Sequence, residues 1–251
     1  MKISLTKLIT ASIIAAAFSL TTQAAPIDLN TWTQEGPLGN GNWTVSGPGD
    51  SVYQSINGNP TYFVSPESFI NKEFNGSFIQ NGSAGYWDND YVGFVFGYNG
   101  LDDYYLFDWK QGNQGAAKEG FGLYKISAGT KNFWDHTGTG ITTLATNQST
   151  TNGWVDNTLY DFSLGYTDTA ITISLDGDIF NNETVIDVAG LTNSAGRFGF
   201  YNYSQQAVTY SGFEEDTCQV NCGVGVAEPA SIMVLGLGLI GIAVFRRRKV
   251  L

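Results

Sequence analysis

Histidine, cysteine and basic residues are scarce in these 251 residues, and each shortage removes a class of function. The single histidine, His136, cannot build a histidine metal cluster. No nucleophile elbow appears, and no phosphate-binding glycine loop opens a helix. The acids do not take the spacing of a sandwich glucanase either. Glu214-Glu215-Asp216 is too tightly packed, and Asp88-x-Asp90 lacks the glutamates that would supply a carboxylate pair. No catalytic residue is therefore expected. A glycan-active hydrolase on a sandwich fold is the alternative.

The only cysteines, Cys218 and Cys222, form a C-x3-C pair with no histidine nearby, too few donors for a metal site. Outside the cytoplasm a local disulfide is expected, contributing about 2 kcal/mol before strain. Two free thiols are the alternative. Of 12 basic residues, six lie at the ends: Lys2, Lys7, Arg246, Arg247, Arg248 and Lys249. Six basic against 22 acidic residues remain between Ala25 and Ala227, a net charge of −16. That excludes a nucleic-acid surface. It suits solubility or cation binding.

The two ends read as export signals. Lys2 and Lys7 precede an apolar stretch from Leu8 to Leu20, and small residues follow to Ala24, the pattern of a cleaved signal peptide over 1–24. An uncleaved anchor is the alternative, but the run falls short of the about 20 apolar residues a span needs. At the other end Ala230 to Phe245 carries no charge, and Arg246-Arg247-Arg248-Lys249 follows. As a helix this run spans roughly 24 Å, short of the hydrocarbon core of about 30 Å. The basic cluster would stay cytoplasmic. The run with Ala227-Glu228-Pro229 before it resembles the PEP-CTERM sorting signal over residues 227–251, with Ala227 where that family's first proline stands. The resemblance implies an exosortase-type membrane enzyme as partner, and a cell-surface or extracellular destination in a bacterial envelope. An ordinary C-terminal anchor is the alternative.

Between the ends, 31 glycines and many aromatics outweigh the residues of long helices, and no repeat of fixed period is evident. Tyr91 to Tyr98 places Val92, Phe94, Phe96 and Tyr98 on one face. Asp102-Asp103 reads as a turn, and Tyr104 to Lys110 completes a hairpin. Further strands are expected at 120–126, 160–166, 170–175, 197–203 and 207–213. Many short strands with turn signals between them indicate an antiparallel sandwich.

The same segments carry a second resemblance. Asp88-Asn89-Asp90 with the strand after it, Tyr104 to Gln111, Gly122-Leu123-Tyr124-Lys125, Phe133-Trp134-Asp135-His136 and Gly196 to Tyr201 resemble the thrombospondin C-terminal domain in order. The resemblance implies an all-β, concanavalin-like jelly-roll sandwich of two antiparallel sheets over 25–217, with a linker at 218–226. It also implies Ca2+, for which Asp88 and Asp90, two apart on a loop, are the expected ligands. Hard cations take six to eight oxygens. Asp102, Asp103, Asp176 and Asp178 read as turn residues. Trp87, Trp134 and Trp154 are candidates for a sugar platform, although sandwich aromatics are more often core. The expected role is adhesion, with exopolysaccharide or a surface protein as partner.

Overall fold

Alternating apolar residues close their inner faces on one another across two sheets. The computed structural model describes residues 25–37, 39–82 and 88–217. The signal peptide, Trp87, Cys218, Cys222, the sorting motif Ala227-Glu228-Pro229, the apolar run and its basic end lie outside these residues. The strands in chain order are β1 (Ala25–Pro26), β2 (Thr33–Glu35), β3 (Trp43–Val45), β4 (Ser51–Gln54), β5 (Thr61–Phe69), β6 (Lys72–Gln80), β7 (Tyr91–Tyr98) and β8 (Asp103–Lys110). They continue as β9 (Gly120–Ser127), β10 (Ile141–Asn147), β11 (Leu159–Tyr166), β12 (Ala170–Gly177), β13 (Phe180–Ala189), β14 (Gly196–Tyr203) and β15 (Val208–Thr217). One 3-10 turn, Leu29–Thr31, is capped by the Asp28 carboxylate. No helix among the described residues is long and apolar enough to cross a membrane.

The eight-stranded sheet runs β13-β12-β11-β6-β15-β4-β3, with β1 also on β15; the seven-stranded sheet runs β10-β9-β8-β7-β14-β5-β2. The strand neighbours are antiparallel. This is the expected jelly-roll sandwich. Phe94 joins the layers, its ring 4.8 Å from Phe107 in its own sheet and 4.7 Å from Phe162 in the other. Phe198 and Phe213 stack across the gap at 4.5 Å, as do Phe200 and Tyr210.

The alternation in β7 stops one residue earlier than its pattern indicates. Val92, Phe94 and Phe96 enter the core, but Tyr98 joins a second cluster on the outer face of the seven-stranded sheet. Gly97 causes the switch. Its φ is +55°, and a Cβ there would sit 2.5 Å from the Tyr166 hydroxyl. A register shift in the β14–β7 pairing falls at the same level. One irregular residue moves every later side chain to the opposite face.

That outer cluster buries Tyr62, Tyr91, Tyr98, Tyr104, Tyr124 and Tyr201 with Val95 and Leu106. Every residue of β7 is consequently buried, against the usual half-exposed antiparallel strand. The 128–140 connection between β9 and β10 adds Phe133 and Trp134 to this face.

Burial pushes the phenols of Tyr62, Tyr104, Tyr124, Tyr201 and Tyr210 well above the ordinary tyrosine value, and that of Tyr160 up to about 12. The unfolded chain releases these protons near pH 10 while the folded chain keeps them, so stability falls as pH rises above about 10. In an alkaline titration, most tyrosinate absorbance is expected to appear together with the loss of near-UV circular dichroism. Ionisation of most tyrosines with native dichroism retained would contradict this packing.

Candidate functional site

Antiparallel pairing of β7 with β8 sets Tyr91 opposite Lys110, so the residues before β7 and those after β8 meet at one end of the sandwich. Asp88, Asn89, Gln111 and Gln114 come together there with Asp156 of the β10–β11 connection, lining a cleft of about 400 Å³. Trp154 anchors that connection, its indole N–H donating to the carbonyls of Asp90 and Trp109, each at 3.1 Å. Trp154 is buried and belongs to the core, not to a sugar platform. The Gln111 amide donates to Asp156 Oδ1 at 3.0 Å, and the Asn57 amide to Asp88 Oδ2 at 2.6 Å. Among the described residues the lining offers carboxylate and amide groups without an aromatic ring.

Next to Asp156 lies an oxygen without a partner. Gln80 is buried, and its Oε1 accepts no hydrogen bond among the described residues. A Cβ on Gly82 would stand 3.1 Å from that oxygen and 3.5 Å from Asp156 Cβ. An orphaned buried acceptor costs about 1–3 kcal/mol, which a cation or a hydroxyl donor would recover.

Asp88 and Asp90, expected to turn towards one ion, go separate ways. Asp88 lines the cleft, whereas Asp90 Oδ1 lies 2.5 Å from the Lys110 ammonium, with side-chain exposures of 5% and 0%. Asp90 is thus corrected from cation ligand to the partner of a buried lysine. No group of three or more His, Cys, Asp and Glu side chains suited to a metal occurs among the described residues. Of the acids expected in turns, Asp102 and Asp178 sit in turns, whereas Asp103 opens β8 and Asp176 lies near the end of β12. Asp102 pairs with Lys131, Asp103 with Lys125 at 2.6 Å, and Asp176 accepts from the backbone N–H of Asn182.

Above Lys110 sits the 128–140 connection. The ammonium lies 5.0 Å from the Tyr91 ring centre and 4.8 Å from that of Trp134, so Trp134 covers a cation instead of presenting a free platform. His136 lies flat on Tyr124 at 4.0 Å, and its Nε2 is 2.7 Å from Asp108 Oδ2. Asp108 shares a strand face with Lys110, two residues away, and is buried. Burial raises its carboxyl above the ordinary carboxylate range, against the pull of His136 and, after it, Lys110.

Sequence reasoning missed Lys110, Asp108, Asp156 and Gln80. Buried lysines are too rare to expect, and the last two reach the site only through tertiary packing. His136→Ala is expected to destabilise the domain by about 1–3 kcal/mol, because it leaves the buried Asp108 carboxyl group without its hydrogen-bond partner. Asp108→Leu added to it should recover part of that loss in a urea melt. A neutral His136→Ala would show the pair to be idle.

The model for the thrombospondin C-terminal region matches residues 39–219, and that for the PEP-CTERM protein-sorting motif residues 226–249, the mark of an exported protein sorted to the cell surface. Thrombospondin-3b of Danio rerio is 28% identical over 184 residues, covering 65% of this chain and 19% of that protein. Cartilage oligomeric matrix protein of Rattus norvegicus is 27% identical over 185 residues, 65% of this chain and 24% of that one. This chain therefore matches no more than a quarter of either relative. In structure, a galectin-like protein of unknown function from Bacillus subtilis superposes with TM-score 0.54 at 13% identity, over 78% of this chain and 95% of that one. The exoplasmic domain of VIP36 follows with TM-score 0.52 at 11% identity, over 76% and 85%. Both share the lectin-like sandwich. With that fold in hand and 39–219 matched from end to end, the chain belongs to the thrombospondin C-terminal region family.

Proposed function

We propose that this exported, lectin-like protein is a non-enzymatic adhesion or matrix component that takes a glycan or surface partner, together with Ca2+, at the cleft of Asp88, Asn89, Gln111, Gln114 and Asp156. The observation that carries the reading is the lining itself, two carboxylates and three amides on loops at the end of a rigid sandwich. Such groups accept from and donate to sugar hydroxyls. Their oxygens, with the orphaned Gln80 Oε1 beside Asp156, are the donor type that calcium prefers. Calcium would neutralise the two acids and hold the loops in register. The VIP36 domain, which shares the sandwich, has been solved with Ca2+ and Man3GlcNAc bound. Exopolysaccharide is the partner class that suits a surface address. An exosortase-type enzyme would process the 226–249 segment, whose apolar run holds the chain at the membrane until then.

Calcium at tenfold its Kd would add about 1.4 kcal/mol to stability. A thermal melt is therefore expected to shift upwards with calcium and back with chelator, and Asp88→Ala with Asp156→Ala should abolish the shift. A glycan array with and without calcium then reads the ligand. A melt indifferent to calcium ends the cation part of the reading. Release of reducing sugar from a polysaccharide panel would replace binding with hydrolysis.

A further inference from the structure

We infer that Lys110 and Asp90 form an intramolecular amide bond, a covalent cross-link that ties the end of β8 to the loop before β7. The geometry is that of an amine held against a carboxyl group. Lys110 Nζ stands 2.5 Å from Asp90 Oδ1, and the carboxyl carbon that bears this oxygen is next to it. Water is excluded. The lysine side chain is fully buried, with the Tyr91 and Trp134 rings about the nitrogen. Both partners are held in place. Asp90 donates its backbone N–H to Gln205 Oε1 at 3.0 Å and accepts from the Trp154 indole through its carbonyl. Lys110 also donates to the Asn89 carbonyl at 3.0 Å. Such fixed contact replaces a bimolecular encounter by an intramolecular one.

The reaction is a condensation and needs no oxidant or co-reactant. One proton passes from the ammonium to the carboxylate, leaving an amine and a carboxylic acid. The amine lone pair attacks the carboxyl carbon, forming the C–N bond. The C–OH bond then breaks, and the hydroxyl leaves as water with a proton from nitrogen. The product is a neutral secondary amide, which removes two buried charges at once. Asp108, on the same face two residues from Lys110, serves as the proton relay. Burial favours its protonated form, and His136 holds it in place.

Trypsin mapping of the denatured full-length protein decides the matter. In a linear chain the enzyme cuts after Lys72, Lys110 and Lys118, releasing 73–110 and 111–118. The cross-linked chain is expected to yield 73–118 as one piece, lighter than its sequence by one water, with no 73–110 peptide. Asp90→Asn should give the same branched product by losing ammonia, and Asp90→Ala none. Asp108→Asn should leave much of the chain linear. Wild-type protein that releases 73–110 at its full sequence mass overturns the cross-link, whatever the variants do. Complete cross-linking in Asp108→Asn would remove Asp108 from the mechanism.

Discussion

Charge buried in a sheet covered on both faces is the constraint on which the rest of this structure depends. Strand β8 carries Asp108 and Lys110 on the outer face of the seven-stranded sheet, and neither reaches water. An unpaired ion in such a place would cost several kcal/mol. Asp90 and His136 supply the partners, one from the loop before β7 and one from the 128–140 connection. The face can be closed only because both loops deliver their partners. The second aromatic cluster follows from that closure.

The closure also sets the cleft. Asp90 turns inwards to Lys110 while Asp88, two residues earlier, lines the loop end of the sandwich, so one short acidic segment serves interior and surface. Trp154 reinforces the arrangement by binding the Asp90 and Trp109 carbonyls, which locates Asp156 opposite Asp88 and Asn89. Core packing and cleft geometry are the same contacts seen from two sides. Loops placed on a rigid sheet in this way are where recognition residues usually lie.

Much of the fold was legible along the chain. The hairpin of β7 and β8, strands β9, β11, β12 and β14, and the start of β15 follow from alternation and turn residues. Strands β1 to β6 were not legible along the chain, and neither were β10 and β13, because edge strands such as these two bury little and show weak alternation: six of the ten residues in β13 are exposed. Tyr98 misled because periodicity assumes an unbroken register, and Gly97 breaks it. Asp102 was legible as a residue of the β7–β8 turn, whereas Asp103 opens β8; lysines on the 128–140 connection and on β9 neutralise the two acids.

Local pattern by itself determined the all-β class, the family, the surface-sorting motif and the acidic charge balance. These depend on composition and on residues close in sequence. The tertiary structure alone decided that Asp90 meets Lys110, that Asp108 meets His136, and that Asp88 shares a cleft with Asp156. Those pairs are 20, 28 and 68 positions apart. The sign of a charge is written at its own position. Whether it faces solvent, an ion or a buried counter-charge depends on which loops the two sheets bring over it.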